Sequence, residues 1–166
     1  MNLLFILINE CIASNEIFLS PWNFPLLNLS IFKHNNKEFL QFIDVENIKN
    51  YNKQDRFEKP KGYFSFINKN DDLYICNKKN SNLLKSCSNY NKAVKFEEKF
   101  FLSKKGSFFV AFNKFCLTLG NKDNETHGFN LVLDLCTYND NQKFSITSAP
   151  VFNENLFNSD RIIEYI

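Results

Sequence analysis

The chain reads as an all-β protein built from three sequential lobes, and three observations carry that expectation. The segments YNKQDRF at 51–57, YNKAVKF at 90–96 and YNDNQKF at 138–144 align without gaps, each opening on Tyr-Asn and closing on a basic residue and Phe. The copies start 39 and then 48 residues apart, a recurrence the length of one supersecondary unit that cannot bury a core alone. No stretch of the body sustains a capped 3.6-residue apolar period, and the best helical candidate, 91–102, overlaps a repeat copy. Twenty Phe and six Tyr add a mild bias toward strands, where rings pack well on a pleated surface.

Residues 1–13 are expected to be a secretory leader. Met1-Asn2 precede the apolar run LLFILI at 3–8, and Cys11 and Ala13 supply small residues ahead of a cleavage point. The run is far too short to cross a bilayer, and no other stretch is apolar enough to do so. The other reading of the same residues is a first β-strand. The folded domain is expected at 26–166, with lobes at 26–61, 62–105 and 106–150 and a closing segment at 151–166.

Each lobe reads as short apolar runs between clusters of Asn, Lys, Asp and Gly, which is strand-and-turn grammar. The first offers runs at 27–32 and 39–45, the second at 63–67, 73–76 and 83–84, the third at 108–112, 115–119 and 129–135. Three lobes of about four strands each match a β-trefoil better than a propeller, whose smallest versions need about four blades. In such a fold three pseudo-symmetric lobes would bury Phe57, Phe96 and Phe144 as equivalent core residues of a closed barrel.

Composition excludes several function classes. The 44% hydrophobic fraction argues against disorder, and 166 residues make one domain, large enough to bury about 70% of its unfolded surface. Net charge is +2 with acids and bases interspersed, so no basic tail or stripe marks a nucleic-acid partner. The two histidines, His34 and His127, both fall in polar stretches, without a nucleophile-elbow, Walker-type or zinc-protease pattern. Adjacent carboxylates at Asp71-Asp72 and Glu97-Glu98 would face opposite sides of a strand, so neither forms an acid–base pair. An enzyme, a metal site and a cofactor are therefore not expected.

Loss of a leader would remove Cys11 and leave four cysteines, Cys76, Cys87, Cys116 and Cys136. An even set suits an oxidised, secreted domain, whereas no two form a Cys-x-x-Cys zinc pair. Free buried thiols in a reducing compartment are the alternative. Two Asn-x-Ser/Thr sequons, at Asn28 and Asn124, are compatible with the secretory route.

The third lobe carries a family signal. Phe115-Cys116-Leu117 opens it, Leu131-Val132-Leu133 precedes Cys136, and Asn141-Gln142-Lys143-Phe144 closes it. This lobe resembles those of the ricin-B-type lectin β-trefoils, marked by Cys-Leu, a second Cys about 20 residues on and a closing Gln-x-aromatic. The resemblance implies disulfides Cys116–Cys136 and Cys76–Cys87 and a non-covalent site for glycans or glycoproteins. In that family an acid after Cys-Leu accepts two sugar hydroxyls, a ring before the second Cys stacks on the sugar, and the Asn of Asn-Gln adds a hydrogen bond. Here Asn141 and Gln142 match, Thr118 stands in the acid's place and Asp134 near the ring's. The candidate carbohydrate-binding residues are Asn141, Asp134, Gln142 and His127, the last in the 120–128 loop. Asp44 resembles the family's acidic position in the first lobe, and nothing matches in the second. The alternative function is a protein-interaction module, such as a protease inhibitor or surface ligand, with a degenerate sugar site.

Overall fold

The computed structural model describes residues 16–44, 57–58, 67–68, 72–100 and 106–147. Twelve β-strands run through them in chain order: β1 (Glu16–Pro21), β2 (Leu27–His34), β3 (Lys37–Asp44), β4 (Phe57–Glu58), β5 (Ile67–Asn68), β6 (Leu73–Asn77), β7 (Leu84–Cys87), β8 (Phe96–Phe100), β9 (Ser107–Ala111), β10 (Phe115–Lys122), β11 (Phe129–Leu135) and β12 (Phe144–Thr147). Two 3-10 turns, Tyr90–Lys92 and Asp140–Gln142, complete the inventory. Every pairing is antiparallel, and no α-helix occurs among the described residues.

The strands form one hydrogen-bonded path, β2-β3-β11-β10-β9-β12-β1-β4-β5-β6-β7, with β8 on β9. Three hairpins stand out, β2–β3, β6–β7 and β10–β11. The turns that close them follow from residue type. Asn35-Asn36 in the first and Asn80 in the second take positive φ, which Asn tolerates because its short amide bonds locally.

Alternation sets the core. In β10 and β11, Leu117, Leu131 and Leu133 join the main buried cluster, while Cys116, Thr118, Val132 and Asp134 occupy the opposite face. Phe42, Phe96, Phe109 and Phe144 are fully buried in the same cluster, with Phe144 stacked 5.6 Å from Phe42 and tilted by 47° at 6.2 Å from Phe109. Each such ring contributes about 1.5–3 kcal/mol by leaving water.

The closing Phe of each repeat copy opens a strand: Phe57 begins β4, Phe96 β8 and Phe144 β12. Phe96 and Phe144 are both 0% exposed; the ring of Phe57 and the motif at 51–56 lie outside the described residues. The Tyr-Asn half of the repeat is not structurally equivalent. One 3-10 turn takes Tyr90–Lys92 of its copy and the other Asp140–Gln142, two positions further on, with Asn89 and Asn139 as their respective N-caps. Each cap oxygen accepts from the backbone N–H two residues ahead, so the capping Asn, not the aligned Tyr, sets where the turn starts.

Two expectations need correction. The domain boundary at Leu26 is too late, because β1 begins at Glu16 and pairs with both β12 and β4. The run at 83–84 is the start of a longer strand, Leu84–Cys87, whose alternating polar residues hid it. As the overlap with a repeat copy implied, the described part of 91–102 holds no α-helix: the 3-10 turn Tyr90–Lys92 leads into β8, which pairs with β9 from Phe96 to Phe100. The leader expected at 1–13 and the closing segment at 151–166 lie outside the described residues.

Both expected disulfides are present. Cys76 and Cys87 link β6 to β7 with Cα atoms 5.9 Å apart, and Cys116–Cys136 ties β10 to the segment after β11 at 4.9 Å. They are consistent with an extracellular protein. No described helix is long and apolar enough to cross a membrane.

Candidate functional site

The outer face of the β10–β11 hairpin forms the floor of an open cleft of about 700 Å³. Thr118, Asn130, Val132 and Asp134 supply that floor. The segment 139–142 walls it over the β10 edge, and Asn82-Leu83 wall it over the β11 edge.

A β-bulge shapes the floor. The register passes from Leu119↔Leu131 to Lys122↔Phe129, so β10 spends one extra residue around Gly120-Asn121. A bulge bends the strand and redirects a side chain, and here it places Asn121 in the cleft lining. Gly120 permits the bend: a Cβ there would meet the Asn130 carbonyl oxygen at 3.0 Å and Val132 at 3.1 Å.

Gln142 is the structural centre of the 139–142 wall. It is 2% exposed, and its amide is saturated. Oε1 accepts the backbone N–H of Thr137 at 2.8 Å and of Tyr138 at 2.9 Å. Nε2 donates to the Leu135 carbonyl at 2.8 Å and to Thr118 Oγ1 at 3.2 Å. The Thr118 hydroxyl in turn donates to the Cys116 carbonyl at 2.9 Å. At the place where the family pattern expects a sugar-binding acid, Thr118 is thus a bridge between strand and turn. Val94 holds the position two residues before Phe96 that Gln142 holds before Phe144, and it too is buried.

Asn141 and Asp134 behave differently. Both are exposed and both line the cleft. The Asn141 side-chain amide holds no hydrogen-bond partner among the described residues, and the same is true of Asn82 and Asn121. Asp134 Oδ1 accepts the Leu135 N–H at 2.8 Å, leaving its other oxygen for solvent or a ligand. Among the described residues it is the one charged side chain in the lining. Asn130 is held from behind: its Oδ1 accepts from Gln41 Nε2 at 2.9 Å, and Gln41 Oε1 accepts from Thr126 Oγ1 at 2.5 Å.

His127 is not part of the cleft lining. It sits with φ +60 in the turn beyond the far end of the hairpin, its backbone N–H donating to the Asp123 carbonyl at 3.0 Å. That turn is organised by Asp123, whose Oδ1 accepts the N–H of Thr126 and of Glu125, both at 2.9 Å. These bonds, that from Thr126 foremost, hold the Asp123 carboxyl below its usual range against a smaller opposing effect of burial. Asp44 ends β3 and lines no part of the cleft.

Among the described residues, no ring enters the lining. Phe129 stacks on Phe24 at 6.1 Å and Tyr138 packs edge-on against Phe108 at 5.3 Å. Sequence reading missed Asn82, Asn121, Asn130 and Asn139 as lining residues and took 120–128 as a loop, whereas β10 runs to Lys122; a Gly inside a strand pattern at 120 is the signal that could have marked the bulge. The two sequons also separate. Asn28 is 2% exposed with its Oδ1 accepting from Ser20, whereas Asn124 is exposed in the Asp123 turn.

No protein-family model and no curated protein matches the chain. Among solved structures, the fold is similar to that of a chain in the crystal structure of the Haemophilus ducreyi cytolethal distending toxin. The TM-score is 0.63 over 92% of this chain and 94% of that one, at 15% sequence identity. At that identity the two chains share a fold.

Proposed function

We propose that the chain is a secreted β-trefoil module that binds neutral glycans non-covalently and without turnover, in the manner the ricin-B-type resemblance implies. The trefoil is supported by the arithmetic of the strands. Twelve strands fall into three sets of four, each with a central hairpin. A six-stranded barrel would need the pairs β1–β4, β4–β5, β5–β8, β8–β9, β9–β12 and β12–β1, and all but β5–β8 occur among the described pairings. The likeness to the toxin chain favours the same reading at the level of fold. Secretion is supported by the two disulfides.

The observation that carries the function is the cleft lining: one exposed carboxylate, Asp134, among the amides of Asn82, Asn121, Asn130, Asn139 and Asn141. Amides donate and accept, and a carboxylate accepts two hydroxyls with charge-assisted bonds, which together suit vicinal hydroxyl groups. With no stacking ring, affinity for one sugar unit is expected near 1 mM, about −4 kcal/mol. An anionic sugar placed about 5 Å from Asp134 would meet a repulsion of roughly 1–3 kcal/mol, so sialylated glycans are disfavoured. The test is a printed array of neutral and sialylated glycans. Binding of neutral glycans that falls about tenfold in Asn141→Ala and in Asp134→Asn, with the fold intact, is expected. Absence of any wild-type signal, or a preference for sialylated glycans, counts against the reading.

A second reading, protein contact, is favoured by Phe112, which is 63% exposed with φ +52 at the β9–β10 turn. A protein partner retained in excess free monosaccharide and lost in Phe112→Ala would select it.

A further inference from the structure

The turn at 78–83, which belongs to the β6–β7 hairpin, is pinned across to the third lobe. Within the turn, the Lys78 N–H donates to the Leu83 carbonyl at 2.9 Å, the Ser81 N–H to the Lys78 carbonyl at 3.1 Å, and the Leu83 N–H to Ser81 Oγ at 3.1 Å. Asn80 supplies the left-handed residue with φ +58. Between lobes, the Leu133 N–H donates to the Asn82 carbonyl at 2.8 Å, and Leu83 forms a bridge with Val132. Backbone on both sides of Asn82 is therefore fixed, and only its side chain is left over. That side chain is exposed in the cleft, and its amide has no partner among the described residues.

We infer that the glycan site is composite, with Asn82 of the second lobe a specificity-determining ligand contact for neutral oligosaccharides of two or more units; this rests on the proposed glycan-binding function. Asn141 reaches the cleft over the β10 edge and Asn82 over the β11 edge, with the width of the hairpin between them. A cleft of about 700 Å³ is in the range of sites that enclose ligands larger than one pyranose. One sugar unit bound at Asn141 and Asp134 leaves Asn82 to contact the next. The Cys76–Cys87 disulfide sits on the two legs of this turn, so it holds the second-lobe wall in place although neither sulfur belongs to the lining.

The experiment measures binding of the full chain to immobilised neutral mono-, di- and trisaccharides of one series. Wild type is compared with Asn141→Ala, Asn82→Ala and Asn82→Asp, each checked for an unchanged melting temperature. Asn82→Ala is expected to leave monosaccharide binding within about twofold while di- and trisaccharide binding drops about tenfold. Asn141→Ala is expected to weaken all three. The double variant Cys76→Ser/Cys87→Ser is expected to reproduce the Asn82→Ala pattern. If Asn141→Ala loses binding and Asn82→Ala matches wild type on every ligand, the composite site is overturned while the glycan site stands. If wild type binds none of the ligands, both fall.

Discussion

Replacing Gln142 separates a structural amide from a binding amide in adjacent residues. Its side chain makes five hydrogen bonds, to the Thr137 and Tyr138 N–H groups, the Thr137 hydroxyl, the Leu135 carbonyl and the Thr118 hydroxyl. Each contributes about 1 kcal/mol net, and a buried partner left unpaired costs about 1–3 kcal/mol. Thr137 and Tyr138 are exposed, so water replaces part of what they lose. Gln142→Ala is therefore expected to destabilise by about 3 kcal/mol, or roughly 6–12 °C in melting temperature for a domain of this size. Gln142→Leu keeps the volume and removes every bond, so it should lose nearly as much. Asn141→Ala, whose side chain bonds nothing among the described residues, should shift melting by less than about 2 °C. Differential scanning calorimetry on disulfide-intact protein measures all three. A Gln142→Leu variant as stable as wild type would refute the reasoning, because packing alone would then explain the burial.

Three further outcomes follow from the geometry. Phe112 holds a left-handed backbone in a turn it shares with Asn113, also left-handed, so Phe112→Gly relieves a steric cost of about 1 kcal/mol and should raise the melting temperature by about 2–4 °C. The Cys116–Cys136 link closes a 20-residue separation, and Cys116→Ser/Cys136→Ser should lower stability by about 3 kcal/mol in chemical denaturation. Asp123 has its folded pKa depressed by the bonds it accepts, so its contribution is present above the unfolded value of about 3.9 and is lost as pH falls through the folded value. Between pH 6 and pH 3, wild type should therefore lose more stability than Asp123→Asn, read as the difference in denaturation midpoints.

Much of the architecture was readable from local pattern. The apolar run at 129–135, bounded by polar clusters, located β11 to the residue, since short apolar runs between turn-forming residues read as strands. The closing Phe of the repeat was read as a core residue, and Phe96 and Phe144 are fully buried at the start of their strands, since a ring of that size gains most by leaving water. The disulfide pairs followed only from the family pattern. Asn141 and Asp134 were picked out by the same resemblance, and they do share a cleft.

What escaped the sequence was decided by pairings between distant segments. β1 is recognisable only through its partners β12 and β4, more than a hundred and about forty residues away. Asn82 looked like one more polar loop residue until a backbone bond to Leu133, some fifty positions on, placed it in the cleft wall. The family pattern gave Asn141 the ligand bond and Gln142 the closing Gln-x-aromatic place, but the letters alone do not say which amide is buried. The 3-10 turn buries one and leaves the other exposed, since burial is set by which atoms lie overhead and the chain supplies those from elsewhere. Local order fixes period and turn chemistry; only closure of the tertiary contacts determines which polar groups remain unpaired and available to a ligand.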